Sequence, residues 1–217
     1  TAEVLSQLQL DDTNTKLLVI VANQRGADDA SQFEEIQYIG YPFSVSETFQ
    51  QRNTNKSIEQ SLKLVEEMQS MCVNYDKELV VYLSMAFGNP YGEDWSEEIV
   101  AQWGEQLAEL GVKTLALSDT IGVSNPANIS RLFSTLIPEF PGVEWGAHLH
   151  TTPDSWREKV EAAYTSGCRR FDSAIKGLGG CPMAKDDLVG NMPTEKLLSF
   201  TQEKRIKTGV KTLAFES

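Results

Sequence analysis

An α/β fold assembled from parallel βα units is predicted by three observations on this 217-residue chain. Six short apolar runs alternate with stretches whose apolar residues recur at helical spacing, and the alternation continues along the whole length. The connections between them are short, as in repeated βα units. The polar residues suited to chemistry, Asn23, Tyr91, Asp119, His148, His150 and Cys181, all fall at or just past the C-terminal end of a predicted strand. In an α/β barrel that rim is the active-site face. Pattern alone does not separate an eight-stranded barrel from an open doubly wound sheet. The absence of a GxGxxG turn after the first strand weakens a dinucleotide-binding reading.

Residues 1–10 read as the end of a helix, with Val4, Leu5 and Leu8 at helical spacing. Residues 16–22 form a continuous apolar run, the mark of a strand buried on both faces. Asn23-Gln24-Arg25-Gly26 turns into a short helix over 27–33, and a second strand covers about 35–41, ending at Pro42-Phe43-Ser44. A long amphipathic helix spans 57–75, with Ile58, Leu62, Leu64, Val65 and Met68 apolar and Glu66 and Glu67 outward. The third strand, 79–85, runs into the turn-rich loop Phe87-Gly88-Asn89-Pro90-Tyr91-Gly92. The next helix, 95–110, stops at Gly111, the glycine expected just past a helix end. A strand over 113–117 leads into Ser118-Asp119-Thr120-Ile121-Gly122, and a helix over 125–140 is closed by Pro141-Gly142. A strand over 143–149 ends in His148-Leu149-His150, and a helix over 153–166 ends at Gly167. The last strand, 169–173, enters a glycine-rich loop, and a final helix covers 194–203. No linker, low-complexity tract or charge block divides the chain, so 1–217 is expected to form one domain.

With 41% hydrophobic and 23% charged residues, the chain has the balance of a globular protein able to bury a core. Its net charge of −12 argues against nucleic-acid and membrane-surface partners, because nothing attracts a phosphate backbone overall. An anionic small ligand held by a few local cations and backbone amides remains compatible with it. Three cysteines do not look like a disulfide framework, and a cytoplasmic location is expected. Cys72 and Cys168, on or beside helices, read as structural. No apolar run approaches the roughly 18 residues of a membrane-spanning helix, and the first residues are neither basic nor apolar enough for a signal peptide.

The candidate chemistry gathers on two stretches. Gly177-Leu178-Gly179-Gly180-Cys181-Pro182 has almost no side-chain bulk before its cysteine, so its backbone can approach a ligand closely and present Cys181 to it. A surface turn with a buried structural cysteine is the bland alternative. His148 and His150 are the only histidines. Two apart on a strand, they point to one face, as a shared metal requires. Two imidazoles leave a divalent ion undersaturated, so oxygen donors are needed. Asn191 can supply a carbonyl oxygen, and a carboxylate should complete the set around a hard ion such as magnesium or manganese. The nearest motif carboxylate is Asp119, which could equally be an acid–base group or a helix cap. No other residue stands out as a carboxylate ligand.

These residues resemble the 3-hydroxy-3-methylglutaryl-coenzyme A lyase family, among the metal-dependent lyase and Claisen-synthase barrels. The collinear matches are Asn53-Thr54-Asn55-Lys56-Ser57-Ile58-Glu59, Gly88-Asn89-Pro90-Tyr91-Gly92, Ser118-Asp119-Thr120-Ile121-Gly122, His148-Leu149-His150, Gly177-Leu178-Gly179-Gly180-Cys181-Pro182 and Gly190-Asn191. The histidine pair is shared with the related synthases, whereas the cysteine loop points to cleavage over condensation. The resemblance implies a TIM-type (β/α)8 barrel, of which about six βα units lie in this chain and the first two do not. It implies His148, His150 and Asn191 as ligands of a divalent cation, magnesium or manganese. Cys181 would be a mobile-loop catalytic thiol and Asp119 the active-site carboxylate, with Asn53, Tyr91 and Thr120 on the substrate side. The implied reaction is retro-Claisen cleavage of an acyl-CoA substrate to acetyl-CoA and acetoacetate, and the implied assembly is a homodimer. Two alternatives accompany it: another aldol or Claisen enzyme of the superfamily acting on a different hydroxy acid, or an inactive truncated barrel.

Departures from the family pattern sharpen the expectations. The family's first strand carries an acidic metal ligand beside an arginine, and none of the six predicted strands ends in that motif; the missing carboxylate is expected before Thr1. Thr151-Thr152 follows the second histidine where the family usually has Asp-Thr. The run from Ala184 to Val189 is longer and more charged than the family pattern leads one to expect, which bears on lid closure.

Overall fold

The computed structural model describes residues 2–10, 13–180 and 189–211. In chain order the elements are α1 (Ala2–Leu5), β1 (Leu17–Ile20), α2 (Gln24–Ser31), β2 (Ile36–Ser44), α3 (Glu47–Thr54) and α4 (Ile58–Asn74). Then come β3 (Glu78–Ser84), α5 (Glu97–Glu109), β4 (Thr114–Ser118), α6 (Pro126–Glu139) and β5 (Glu144–His148). The chain continues with β6 (His150–Thr151), α7 (Trp156–Thr165), β7 (Arg170–Phe171), β8 (Gly190–Asn191) and α8 (Thr194–Glu203). Strands β1, β2, β3, β4, β5 and β7 form one parallel sheet in sequential order. This curled sheet with its helices has the form of a partial TIM-type barrel, as the family resemblance implies. Among the described residues β1 and β7 each pair on one side only.

Local signals set most helix boundaries. Asn23 caps α2 by accepting from the Gly26 amide at 2.9 Å, so this strand-end residue is committed to its own helix. Ser57 and Gln60 exchange reciprocal bonds at the start of α4, and Asn125 and Asn128 do the same for α6. Gly111 ends α5 at φ +87°, where any side chain would be strained. Helix α3 was not anticipated from the sequence, although its signal is present. Ser46 accepts from the Phe49 amide at 3.2 Å, and Gln50, buried beneath it, accepts from the Ser44 amide through Oε1. Eight residues with a polar exposed face make too weak a period to stand out beside α4.

The central strands are buried on both faces: β4 is wholly buried, and Val80, Val81 and Leu83 of β3 are fully enclosed. Each such side chain contributes about 1.5–3 kcal/mol relative to exposure. For β1 the expectation of two buried faces is corrected, since its residues are only partly covered and Ile20 is 55% exposed. The apolar run reports what the strand can pack against, not how many neighbours it has. The predicted strand over 143–149 is also divided. β5 ends at His148, and His150–Thr151 leave the main sheet to pair antiparallel with Gly190–Asn191. Among the described residues no helix is long and apolar enough to cross a membrane.

Candidate active site

A cavity of about 1050 Å³ opens inside the curled sheet, and His148, His150, Asn191 and Thr120 lie on its wall. The His148 and His150 rings are 5.8 Å apart between centroids, with Leu149 buried between them in sequence. The second sheet supplies the third member. His150 pairs directly with Asn191, which brings the loop after β7 back against the histidines. Asn191 Nδ2 donates to the Leu178 carbonyl at 2.9 Å, which orients the amide and leaves its oxygen free of that bond. Gly179 lies close beneath, where a Cβ would come within 3.0 Å of Asn191 Nδ2; together with its φ of +86° this explains a glycine there. Gly180 lines the cavity and Cys181 follows it in sequence. Cys181 and residues 184–188 lie outside the described residues.

Asp172 is the carboxylate on this wall, and the sequence reading missed it. Its Oδ2 lies 3.1 Å from His148 Nδ1. A carboxylate accepts, so the proton belongs on Nδ1 and the Nε2 lone pair of His148 is left for a ligand. Asp172 stands just past the end of β7, the same strand-end rule that selected the other candidates. The Tyr82 ring meets His148 edge-on with centroids 5.4 Å apart. Burial, reinforced by Asp172, pushes the Tyr82 hydroxyl well above its ordinary pKa, so it stays a neutral donor. Arg170 brings a cation to the cavity and passes over Gly146, where a Cβ would meet its Cδ at 2.9 Å. Its Nε is buried without a partner among the described residues. An inward strand residue carries no motif, which is why pattern reading passed over Arg170 and Tyr82.

Asp119 does not take the position expected of an active-site acid or base. It is 1% exposed and is not among the residues lining the cavity. Oδ1 accepts from the Ser124 amide at 2.9 Å, and Oδ2 accepts from the Ser124 hydroxyl and from Lys159 Nζ at 2.8 Å. Lys159, 40 residues away on α7, also donates to the carbonyls of His150 at 2.9 Å and Gly122 at 3.2 Å. Asp119 is therefore the anion of a buried ion pair behind the histidine wall.

The remaining candidates divide. Thr120 lines the cavity, but its Oγ1 accepts from the Met85 amide at 2.8 Å. That bond pins a buried, non-glycine residue in the left-handed region, at φ 60°. Thr120→Val should leave this amide unpaired and lower stability by about 1–3 kcal/mol, read by urea unfolding; an unchanged midpoint would remove the pinning role. Asn53 is exposed on α3 and Tyr91 sits in the loop after β3, with the Arg52 guanidinium 4.9 Å from its ring centroid. Neither lines the cavity.

Cys72 and Cys168 are buried, as the sequence predicts for structural thiols. Burial pushes Cys72 up to about 11 and Cys168 up to about 12. Folded thiols thus keep protons that the unfolded chain releases above about pH 9, so the stability linked to these sites is complete below that pH and is lost as pH rises towards 11 and 12. Neither should react with iodoacetamide in the native protein at pH 8, and both should react after unfolding, as peptide mass analysis would register.

The residues fit a divalent cation in part. Burial, with His148 beside it, holds His150 below the usual imidazole pKa, so its ring is neutral at pH 7. His150 Nδ1 is buried with no partner among the described residues, and Asn191 reaches the same ring. An orphaned imidazole nitrogen beside a second imidazole and an amide oxygen is a donor set a cation would satisfy. Among the described residues no three His, Cys, Asp or Glu side chains cluster as a complete cage.

Comparison with known proteins shows the family. The HMGL-like family model matches residues 2–217. The hydroxymethylglutaryl-CoA lyase YngG of Bacillus subtilis is 34% identical over 192 residues, covering 88% of this chain and 64% of its own length. The crystal structure of hydroxymethylglutaryl-CoA lyase from Pseudomonas aeruginosa superposes with a TM-score of 0.88 at 29% identity, covering 98% of this chain and 70% of that one. An HMG-CoA lyase from Acinetobacter baumannii, solved with coenzyme A and 3-methylmalate, gives 0.85 at 27% identity, with 96% and 67% covered. The chain thus spans about two thirds of the length of these relatives.

Proposed function

The chain belongs to the HMGL-like family, and from that premise we propose that it carries the rim of a carbon–carbon lyase cleaving 3-hydroxy-3-methylglutaryl-CoA to acetyl-CoA and acetoacetate. The observation that carries this reading is the wall of His148, His150 and Asn191 facing one cavity, with Asp172 orienting the first histidine. The relatives named for this activity support the substrate class.

His148, His150 and Asn191 would hold the cation, of the magnesium or manganese class. When bound, it supplies Lewis-acid polarisation of the substrate hydroxyl and carboxylate oxygens. The protein's own residues prepare the site. Asp172 holds the His148 proton on Nδ1, and the loop carbonyl of Leu178 aims the Asn191 amide. Arg170 and Lys16 place positive charge on the cavity wall, which suits an anionic hydroxy-acyl group in a protein whose net charge is −12. Tyr82 offers a neutral hydroxyl donor from the same wall.

Cleavage needs a base to take the tertiary hydroxyl proton as the carbon–carbon bond breaks. The electron pair passes to the thioester as an enolate, and the enolate carbon then takes a proton. Cys181, delivered by the glycine loop, is the proposed proton donor for that last transfer. Asn53 and Tyr91, away from the cavity wall, are proposed only for the outer part of the thioester, and Thr120 only for packing against it. The test is product analysis of the full polypeptide with a panel of hydroxy-acyl thioesters and added Mg²⁺ or Mn²⁺. Release of acetoacetate with 3-hydroxy-3-methylglutaryl-CoA supports the reading; release from a different hydroxy acid alone moves the protein to another aldol or Claisen reaction.

A further inference from the structure

We propose that Lys159 is a positioning residue for this site, its ammonium both answering Asp119 and fixing where the His150 ring is presented. The inference deepens the lyase reading and rests on it for the identity of the site. A lysine with a 5%-exposed side chain is unusual, because burying a charge is costly unless it is paired and hydrogen-bonded. All three Nζ donors are used here. One goes to Asp119 Oδ2, one to the Gly122 carbonyl and one to the His150 carbonyl. The acceptors come from the β4 loop and from β6, which touch the cavity from two directions. Asp119 is itself held by Ser124, immediately before the Asn125 cap of α6. The ammonium is thus clamped between the start of one helix and the main chain of one histidine. His148 has its own anchor in Asp172, whereas the His150 ring nitrogen Nδ1 has no partner among the described residues. Asn191 reaches the ring and pairs with its strand, but nothing among the described residues holds Nδ1, so the ring's placement rests in part on its backbone, to which Lys159 is bonded directly. Two of the three bonds go to main-chain carbonyls of separate segments, so the lysine ties the β4 loop to His150 as well as balancing Asp119.

The presence of only two histidines makes the test clean. Long-range ¹H–¹⁵N imidazole spectra of the metal-free full polypeptide resolve both rings, with His148→Gln used only for assignment. Lys159→Met alone leaves a buried carboxylate unanswered and can fail to fold, so the deciding protein is Lys159→Met/Asp119→Asn, which removes both charges and keeps an acceptor for Ser124. The expected result is a thermal midpoint close to wild type, unchanged His148 resonances, displaced His150 resonances and Mn²⁺ binding weakened by about 10- to 100-fold. Lys159→Gln/Asp119→Asn keeps an amide donor and should return the His150 resonances towards wild type. Wild-type His150 resonances in the Met/Asn protein would overturn the proposal and reduce Lys159 to a counter-charge. The ring spectra need neither metal nor substrate. A wild type that shows the His150 dependence yet releases no acetoacetate sinks the lyase reading alone.

Discussion

His150→Ala is expected to abolish the stabilisation of the protein by Mn²⁺ and to lower kcat/KM for thioester cleavage by at least about a thousandfold. The stability argument separates two states. In the metal-free protein the substitution opens space at a 4%-exposed position but also removes a buried nitrogen with no partner. An unsatisfied buried polar group costs about 1–3 kcal/mol, comparable to a modest cavity, so the two changes offset and the unfolding midpoint should move little. In the presence of cation at about 100 times its Kd, the wild type should gain about 2.7 kcal/mol and the variant nothing. The activity loss follows because Lewis-acid polarisation supplies several kcal/mol and each 1.4 kcal/mol is about tenfold in rate. Thermal unfolding with and without Mn²⁺ checks the first part and steady-state kinetics the second. A variant that kept the Mn²⁺ shift would take His150 out of the ligand set.

Lys159→Met should lower the unfolding free energy by about 3–5 kcal/mol, the cost of removing one partner from a buried ion pair. Two carbonyls, of His150 and Gly122, lose their donor in the same step. Against a total stability of about 5–15 kcal/mol, this is enough to put folding itself at risk. Most of the loss is the uncompensated Asp119 charge, so Asp119→Asn added to it should recover the greater part. Chemical denaturation of the two single variants and the double variant gives the coupling directly. Coupling below about 0.5 kcal/mol would mean that solvent reaches Asp119 and that the ion pair is not buried in solution.

The two histidines were legible because their information is local. Residues two apart at a strand end share a face whatever surrounds them. The parallel βα order was legible for the same reason, because apolar period, caps and terminal glycines are written within a few residues of many of these elements. The short helix α3 carried a capping serine but too little periodicity to be seen. The strand over 143–149 looked continuous because apolar alternation does not record that His150 changes partners, from the main sheet to Asn191.

Asp119 marks the boundary most clearly. Its motif was readable, but its role was not, because the group that answers it lies 40 residues away on helix α7. A carboxylate's chemistry depends on what faces it, and sequence spacing carries no information about that partner. Asp172, Arg170 and Tyr82 were invisible for the related reason that strand curvature decides which inward side chains converge. By itself, the sequence determined the alternation of strands and helices, the rim on which chemistry would gather, and the histidine–glycine–cysteine motifs behind the family resemblance. Tertiary structure alone decided that Asp172 backs His148, that Lys159 withdraws Asp119 from the cavity, and that Asn191 reaches His150, because each is a long-range contact made only when the sheet curls and the chain returns.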